Sequence, residues 1–204
     1  MTKELAPARA RSVRAIVLTT LCAIALDVAA DSAADLQAGI EAYERGDLMT
    51  SMTLYRSAAE AGQPEAQARL AWLLDQAEQN EEAAQWYRSS AEQGYPPGEY
   101  GLAEMFAKGD GVEKDFDKAV EYFMRAAASQ HTPAMRVLAT AYAEGALGRE
   151  PDMAESQRWL TLAAEAGDRN SMQLLVDYLS ESGADAERAA YWEARLERAQ
   201  SLAE

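Results

Sequence analysis

From about residue 35 onward, small and large apolar residues recur at helical spacing and never alternate with period two. One pattern pairs a large residue with a small one and adds a second large residue three positions later: Leu70, Ala71 and Leu74; Leu102, Ala103 and Phe106; Leu138, Ala139 and Tyr142; and, in Leu174-Leu175-Val176-Asp177-Tyr178, a looser copy. Residues spaced this way share one helical face, and the small one lets a neighbouring helix come close. A second pattern follows each copy or precedes the next: LYRSAAEAG at 54–62, WYRSSAEQG at 86–94, YFMRAAASQ at 122–130 and WLTLAAEAG at 159–167. A degraded copy appears at 191–199.

The two patterns alternate along the chain, so each pair predicts a helix-turn-helix unit, at about 35–63, 64–95, 96–131, 132–168 and 169–201. Leu102, Ala103 and Phe106 are expected to meet Ala119, Phe123, Ala126 and Ala127 inside one unit. Pro64, Pro96 or Pro97, and Pro133 stand where first helices begin, a position whose N–H is unpaired in any case. Gly62, Gly94 and Gly167 stand where second helices end, where a left-handed residue costs glycine least. Gln130 departs from that rule. Short turns are expected at Arg45-Gly46-Asp47 and Asn80-Glu81-Glu82.

Within the third unit, Glu99 to Val112 reads EYGLAEMFAKGDGV and continues through Asp115-Phe116-Asp117-Lys118-Ala119 to Tyr122-Phe123. This stretch resembles the Sel-like repeat class of the tetratricopeptide superfamily, whose two helices are joined by a longer loop with a glycine-x-glycine-valine turn, here Gly109-Asp110-Gly111-Val112. The fourth unit carries a variant loop, Gly145 to Pro151. Units at 35–63 and 64–95 lack the insertion and are closer to the plain tetratricopeptide form. The resemblance covers nearly all of residues 35–200.

Stacked helix pairs of this kind imply an all-α, right-handed α-solenoid of about five repeats, one domain over residues 31–204, with first helices lining a concave side. The residues of those helices not committed to packing are the candidates for a partner-binding groove: Arg69, Trp72 and Asp75; Tyr100 and Glu104; Arg136 and Thr140; Met172 and Val176. Trp, Tyr and Arg are the residue types most often found as binding hot spots. Trp72 and Tyr100 are equally explained as filling between units. Trp86, Trp159 and Trp192 sit at matching positions of second helices and read as packing residues.

Composition narrows the chemistry. The 204 residues hold 34 Asp plus Glu against 19 Lys plus Arg, a formal charge of -15, which repels nucleic acid and anionic membrane surfaces. One cysteine, Cys22, and one histidine, His131, leave no metal or catalytic pair built on two such residues. His131 reads as a turn or capping residue. Asp115-x-Asp117 lacks the glycine and distal glutamate of a calcium loop, no acidic pair stands out as a glycosidase pair, and no nucleotide-binding glycine loop or nucleophile elbow occurs. No cofactor, no metal and no catalysis are expected. Beyond the first thirty residues the lysines are Lys108, Lys114 and Lys118, clustered in and around the 109–112 loop. They read either as a basic contact point or as a loop whose charges cancel against Glu113, Asp115 and Asp117.

The first thirty residues differ from the rest. Lys3, Arg9, Arg11 and Arg14 precede the apolar run AIVLTTLCAIAL at 15–26, and Val28-Ala29-Ala30 offers small residues for cleavage. This is the layout of a secretory signal peptide cut near Ala30, with Ala34 an alternative, and the run is too short to span a bilayer. Leu21 ahead of Cys22 argues against a lipoprotein signal, and Arg9, Arg11 and Arg14 are never adjacent, which argues against twin-arginine export. A periplasmic or secreted bacterial location is expected, with membrane contact only through the transient signal peptide. The resemblance implies a non-catalytic scaffold that holds a partner protein or peptide. Binding of a small envelope ligand such as a peptidoglycan fragment is the alternative, and a self-assembling structural subunit a third.

Overall fold

The computed structural model describes residues 30–183 and 185–201, so the expected signal peptide lies outside the described residues apart from Ala30. Ten helices and no strands occur among the described residues. They are α1 (30–44), α2 (Leu48–Glu60), α3 (Pro64–Gln76), α4 (Asn80–Glu92), α5 (Pro96–Lys108), α6 (Phe116–Ala128), α7 (Thr132–Glu144), α8 (Met153–Glu165), α9 (Arg169–Ser182) and α10 (Ala186–Ser201). Each of the five expected units is a helix pair. Helices α2 to α8 all have 13 residues, the regularity that a sequence repeat imposes.

The chain forms two compact units, one up to Leu70 and one from Ala71 onward. In the first, Tyr55 of α2 is buried with its ring against α1, where a Cβ on Gly39 would come within 2.7 Å of it. Glycine at 39 is therefore what admits the tyrosine. Ala58 and Ala59 of α2 and Ala66 of α3 are buried, and the Gln67 side-chain amide donates to the Ala59 carbonyl at 3.1 Å.

In the second unit consecutive helices from α4 to α10 pack against one another. The large-small pattern forms the core: Leu102, Ala103, Leu138 and Ala139 are buried, as are Ala119, Phe123, Ala126 and Ala127, the expected partners in α6. Full burial of each leucine contributes about 1.5–3 kcal/mol. Trp192 belongs to a terminal core with Met172, Leu175, Val176 and Leu179.

Helix ends obey the punctuation with two differences. After α2, α4 and α8 the chain turns left-handed, with φ of +92° at Gly62, +71° at Gly94 and +94° at Gly167, and after α6 Gln130 adopts the same conformation at +61°. Gln130 is thus the same cap made without glycine, at a steric cost of about 1 kcal/mol. Asn80, Glu81 and Glu82, expected as a turn, form the first turn of α4, and the connection falls at residues 77–79. Acidic residues are favourable there because the helix N-terminus carries partial positive charge.

Candidate functional site

Helices α5 and α7, the first helices of consecutive units, face each other across a cleft of about 350 Å³. Tyr100 and Glu104 from α5 and Arg136 and Thr140 from α7 line it, four of the nine predicted groove residues. The repeat explains the convergence. Tyr100 and Arg136 each lie two residues before the buried leucine of their helix, and Glu104 and Thr140 two after it, so the same register projects them from both helices toward one space.

The floor is apolar, formed by Phe123, Pro133 and Val137, with Leu147 of the loop after α7 at one end. Tyr100 stands edge-on to Phe123 at 5.5 Å and tilts against His131 at 5.2 Å. Its hydroxyl donates to Glu104 at 3.2 Å. Burial, reinforced by the Glu104 carboxylate, pushes the Tyr100 hydroxyl up to about 12, so it remains a donor at any physiological pH. Burial lowers the His131 imidazole from its ordinary value. Arg136 lines the cleft and meets Asp168 at 3.7 Å.

Asp75 lies beside Tyr87 around a small recess that also includes Glu104. Burial, then Asp75, Glu104 and Tyr100, raise the Tyr87 hydroxyl above its usual range. Five predicted residues are thus gathered through Glu104. Trp72 is 43% exposed but lines neither the cleft nor the recess. Arg69, in the first compact unit, is tied to Glu65 at 2.8 Å.

Met172 and Val176 do not belong to the exposed face of α9. Both are buried in the terminal core, 2% and 8% exposed. The run Leu174-Leu175-Val176 hides the register: Leu175 is the buried leucine and Val176 takes the place of Ala103 and Ala139. The positions equivalent to Tyr100 and Glu104 are Gln173 and Asp177, both exposed and joined by a hydrogen bond of 2.8 Å. Phe123, Pro133, Val137 and Leu147 were not anticipated as lining. Pro133 and Val137 are i, i+4 neighbours on the face of Arg136 and were legible; Leu147 enters from a loop of irregular course, with φ +53°, and was not.

Among the described residues no group of three His, Cys, Asp or Glu side chains is placed to hold a metal ion, and no helix is long and apolar enough to cross a membrane.

The Sel1 repeat model matches residues 33–63, 64–95, 96–131 and 132–168. The chain belongs to the Sel1 repeat family. Among solved structures, it is similar to a Sel1 repeat protein from Oxalobacter formigenes, with a TM-score of 0.69 and 25% identity over 81% of this chain and 70% of that one. It is also similar to a protective antigen present in uropathogenic Escherichia coli strains, described as displaying an SLR fold, with a TM-score of 0.66 and 29% identity over 82% of this chain and 38% of that one. Among curated proteins, it is 32% identical over 143 residues to an uncharacterized protein of Neisseria meningitidis serogroup B, covering 70% of this chain and 30% of the relative. Chitin synthase regulatory factor 2 of Schizosaccharomyces pombe is 32% identical over 96 residues, 47% of this chain and 19% of the relative. The Sel1 chain thus spans a third or less of both curated relatives. The fold class is an all-α helical repeat solenoid, and Sel1 repeat proteins generally act as non-catalytic scaffolds for protein–protein interaction.

Proposed function

We propose that this Sel1 repeat protein is a non-catalytic adaptor of the bacterial cell envelope that holds a partner protein or peptide in the α5–α7 cleft. The observation that carries this reading is the cleft itself: an apolar floor rimmed by Tyr100, Glu104, Arg136 and Thr140, which are polar groups able to orient a peptide over a surface that rewards an inserted apolar side chain. The periplasmic or secreted location rests on the n-region and apolar run of residues 1–30. A relative described as a protective antigen is in keeping with it, and a relative described as a regulatory factor is in keeping with an adaptor role.

The test is capture. Cross-linking the envelope fraction of the native host with tagged wild type should retain a specific protein that Tyr100→Ala with Arg136→Ala loses, while helical circular dichroism is unchanged. A volume of about 350 Å³ is also within the range of small-ligand sites. Should a muramyl peptide raise the melting temperature of wild type but not of the double variant, with no protein captured, the cleft is a small-ligand site instead. Full-length protein retaining residues 1–30 in the cytoplasm would refute the envelope location.

A further inference from the structure

The loop joining α5 to α6 and the adjoining part of α4 border a hollow of about 660 Å³ that shares no lining residue with the cleft. Arg88, Lys114 and Lys118 line it. The sequence left the loop lysines with two explanations, a contact point or self-cancelling charge, and the geometry separates them. Lys118 is neutralised: its Nζ is 2.8 Å from Asp115 Oδ2, while Asp115 Oδ1 accepts the Lys118 N–H at 3.0 Å and caps α6. Asp117 is directed elsewhere, to Arg149. Lys114 sits 4.7 Å over the Phe116 ring and, like Arg88, forms no ion pair among the described residues. Against these two cations the hollow has one carboxylate outside an ion pair, Glu113.

Phe106 and Tyr122 complete the lining, their rings stacked at 5.9 Å and 11°, with Lys118 Nζ 5.2 Å over the Phe106 ring. The loop is pinned to α4, because a Cβ at Gly111 would come within 2.1 Å of the Asn80 carbonyl oxygen. Arg88 on the helix and Lys114 on the loop are therefore held in a fixed relation. In a chain of formal charge -15 this excess of cations is a local exception. At physiological ionic strength charges beyond about 8 Å are largely screened, so the charges of the lining itself weigh most on what docks.

We propose that this hollow is a second docking surface, which takes an acidic segment of a partner protein with its carboxylates on Arg88 and Lys114. Two cations on separate elements, Arg88 on α4 and Lys114 on the loop, fit carboxylates spread along an extended segment.

The probe is a fluorescein-labelled, end-capped peptide of alternating Glu and Gly, with a Gln-Gly peptide as control, read by anisotropy against the full chain in 0.15 M salt. Wild type should bind the Glu peptide saturably and ignore the Gln peptide. Arg88→Glu and Lys114→Glu should each weaken binding at least tenfold. Arg188→Glu, the same charge change on exposed α10 away from the hollow, should change it less than threefold. Absence of saturable binding, or an equal loss in Arg188→Glu, would overturn the proposal. So would a polyuronate that binds tenfold more tightly than the Glu peptide and depends on Arg88 and Lys114, since it would assign the hollow to a polysaccharide. Circular dichroism of each variant separates lost binding from lost fold.

Discussion

Helices α5 and α7 line a cleft while α9, the same element two repeats from α5 and one from α7, closes a core. The register is the same in all three. Three residues before the buried leucine stand Glu99, Met135 and Met172, all buried; two before and two after it stand the residues that face outward. What differs is what the sequence places there. Tyr100, Glu104, Arg136 and Thr140 meet across one cleft, whereas Gln173 and Asp177 satisfy each other on an exposed face. A repeat sets where side chains point, and composition at a few positions decides which faces converge on a cleft.

The largest contrast between these helices is at Glu99 and Met172. Glu99 is a carboxylate 3% exposed, held by Arg125 at 2.9 Å, and Arg125 also donates to the Ala91 carbonyl at 3.0 Å and covers the Tyr122 ring. Arg125→Ala strands a buried charge and should cost about 3–5 kcal/mol in chemical denaturation. Adding Glu99→Met should restore much of that loss, because the equivalent positions in α7 and α9 already hold methionine. A small penalty from Arg125→Ala alone would mean that the pair is replaced by water.

Met172→Ala should cost about 2–5 kcal/mol by leaving a cavity in the terminal core, while Gln173→Ala, one residue on, should change stability by less than about 0.5 kcal/mol. The reverse ranking would place the register of α9 one residue off.

The caps that precede α7 and α9 differ too. Gln130 and Gly167 share the left-handed conformation, so Gln130→Gly should stabilise the fold by up to about 1 kcal/mol, and Gly167→Gln should destabilise it by a similar amount. A lower melting temperature for Gln130→Gly would show that its side chain contributes contacts worth more than the strain.

The smallest effect concerns pH. Asp168 caps α9 by accepting the Ser171 N–H at 2.9 Å, whereas His131, at the same place before α7, makes no capping bond and is lowered by burial. A histidine lowered in the folded state leaves stability unaffected while both states are neutral. As pH falls below the unfolded value of about 6.5, the unfolded state takes up the proton first, so stability declines until pH passes the lowered folded value. His131 is the chain's single histidine, so its NMR titration is unambiguous. The midpoint should lie below 6.5 and rise in Tyr100→Ala, which opens the cover over the imidazole; an unchanged midpoint would assign the burial to other neighbours.

Much of the fold was legible because the same two patterns recur, each with its large-small pair and its end signal, so errors in one copy are corrected by the others. The register of α9 was not, because Leu174, Leu175 and Val176 offer three consecutive apolar candidates for two buried positions. The start of α4 was missed because Asn80-Glu81-Glu82 is polar enough for a turn yet equally suits a first helical turn. For the cleft, periodicity accounts for Tyr100, Glu104, Arg136 and Thr140 lining one space, since their convergence follows from the register alone. Leu147 and the hollow beside Arg88 depend on where loops lie in space, which no local pattern encodes.

On the proposed function, the α5–α7 cleft, and not the matching face of α9, holds the partner. A photo-cross-linking amino acid placed singly at Thr140 or at Asp177 in the native host tests it directly. One discrete protein adduct is expected from position 140, lost when Arg136→Ala is added, and none from position 177. Equal adducts from both positions, or an adduct from 177 alone, would contradict it.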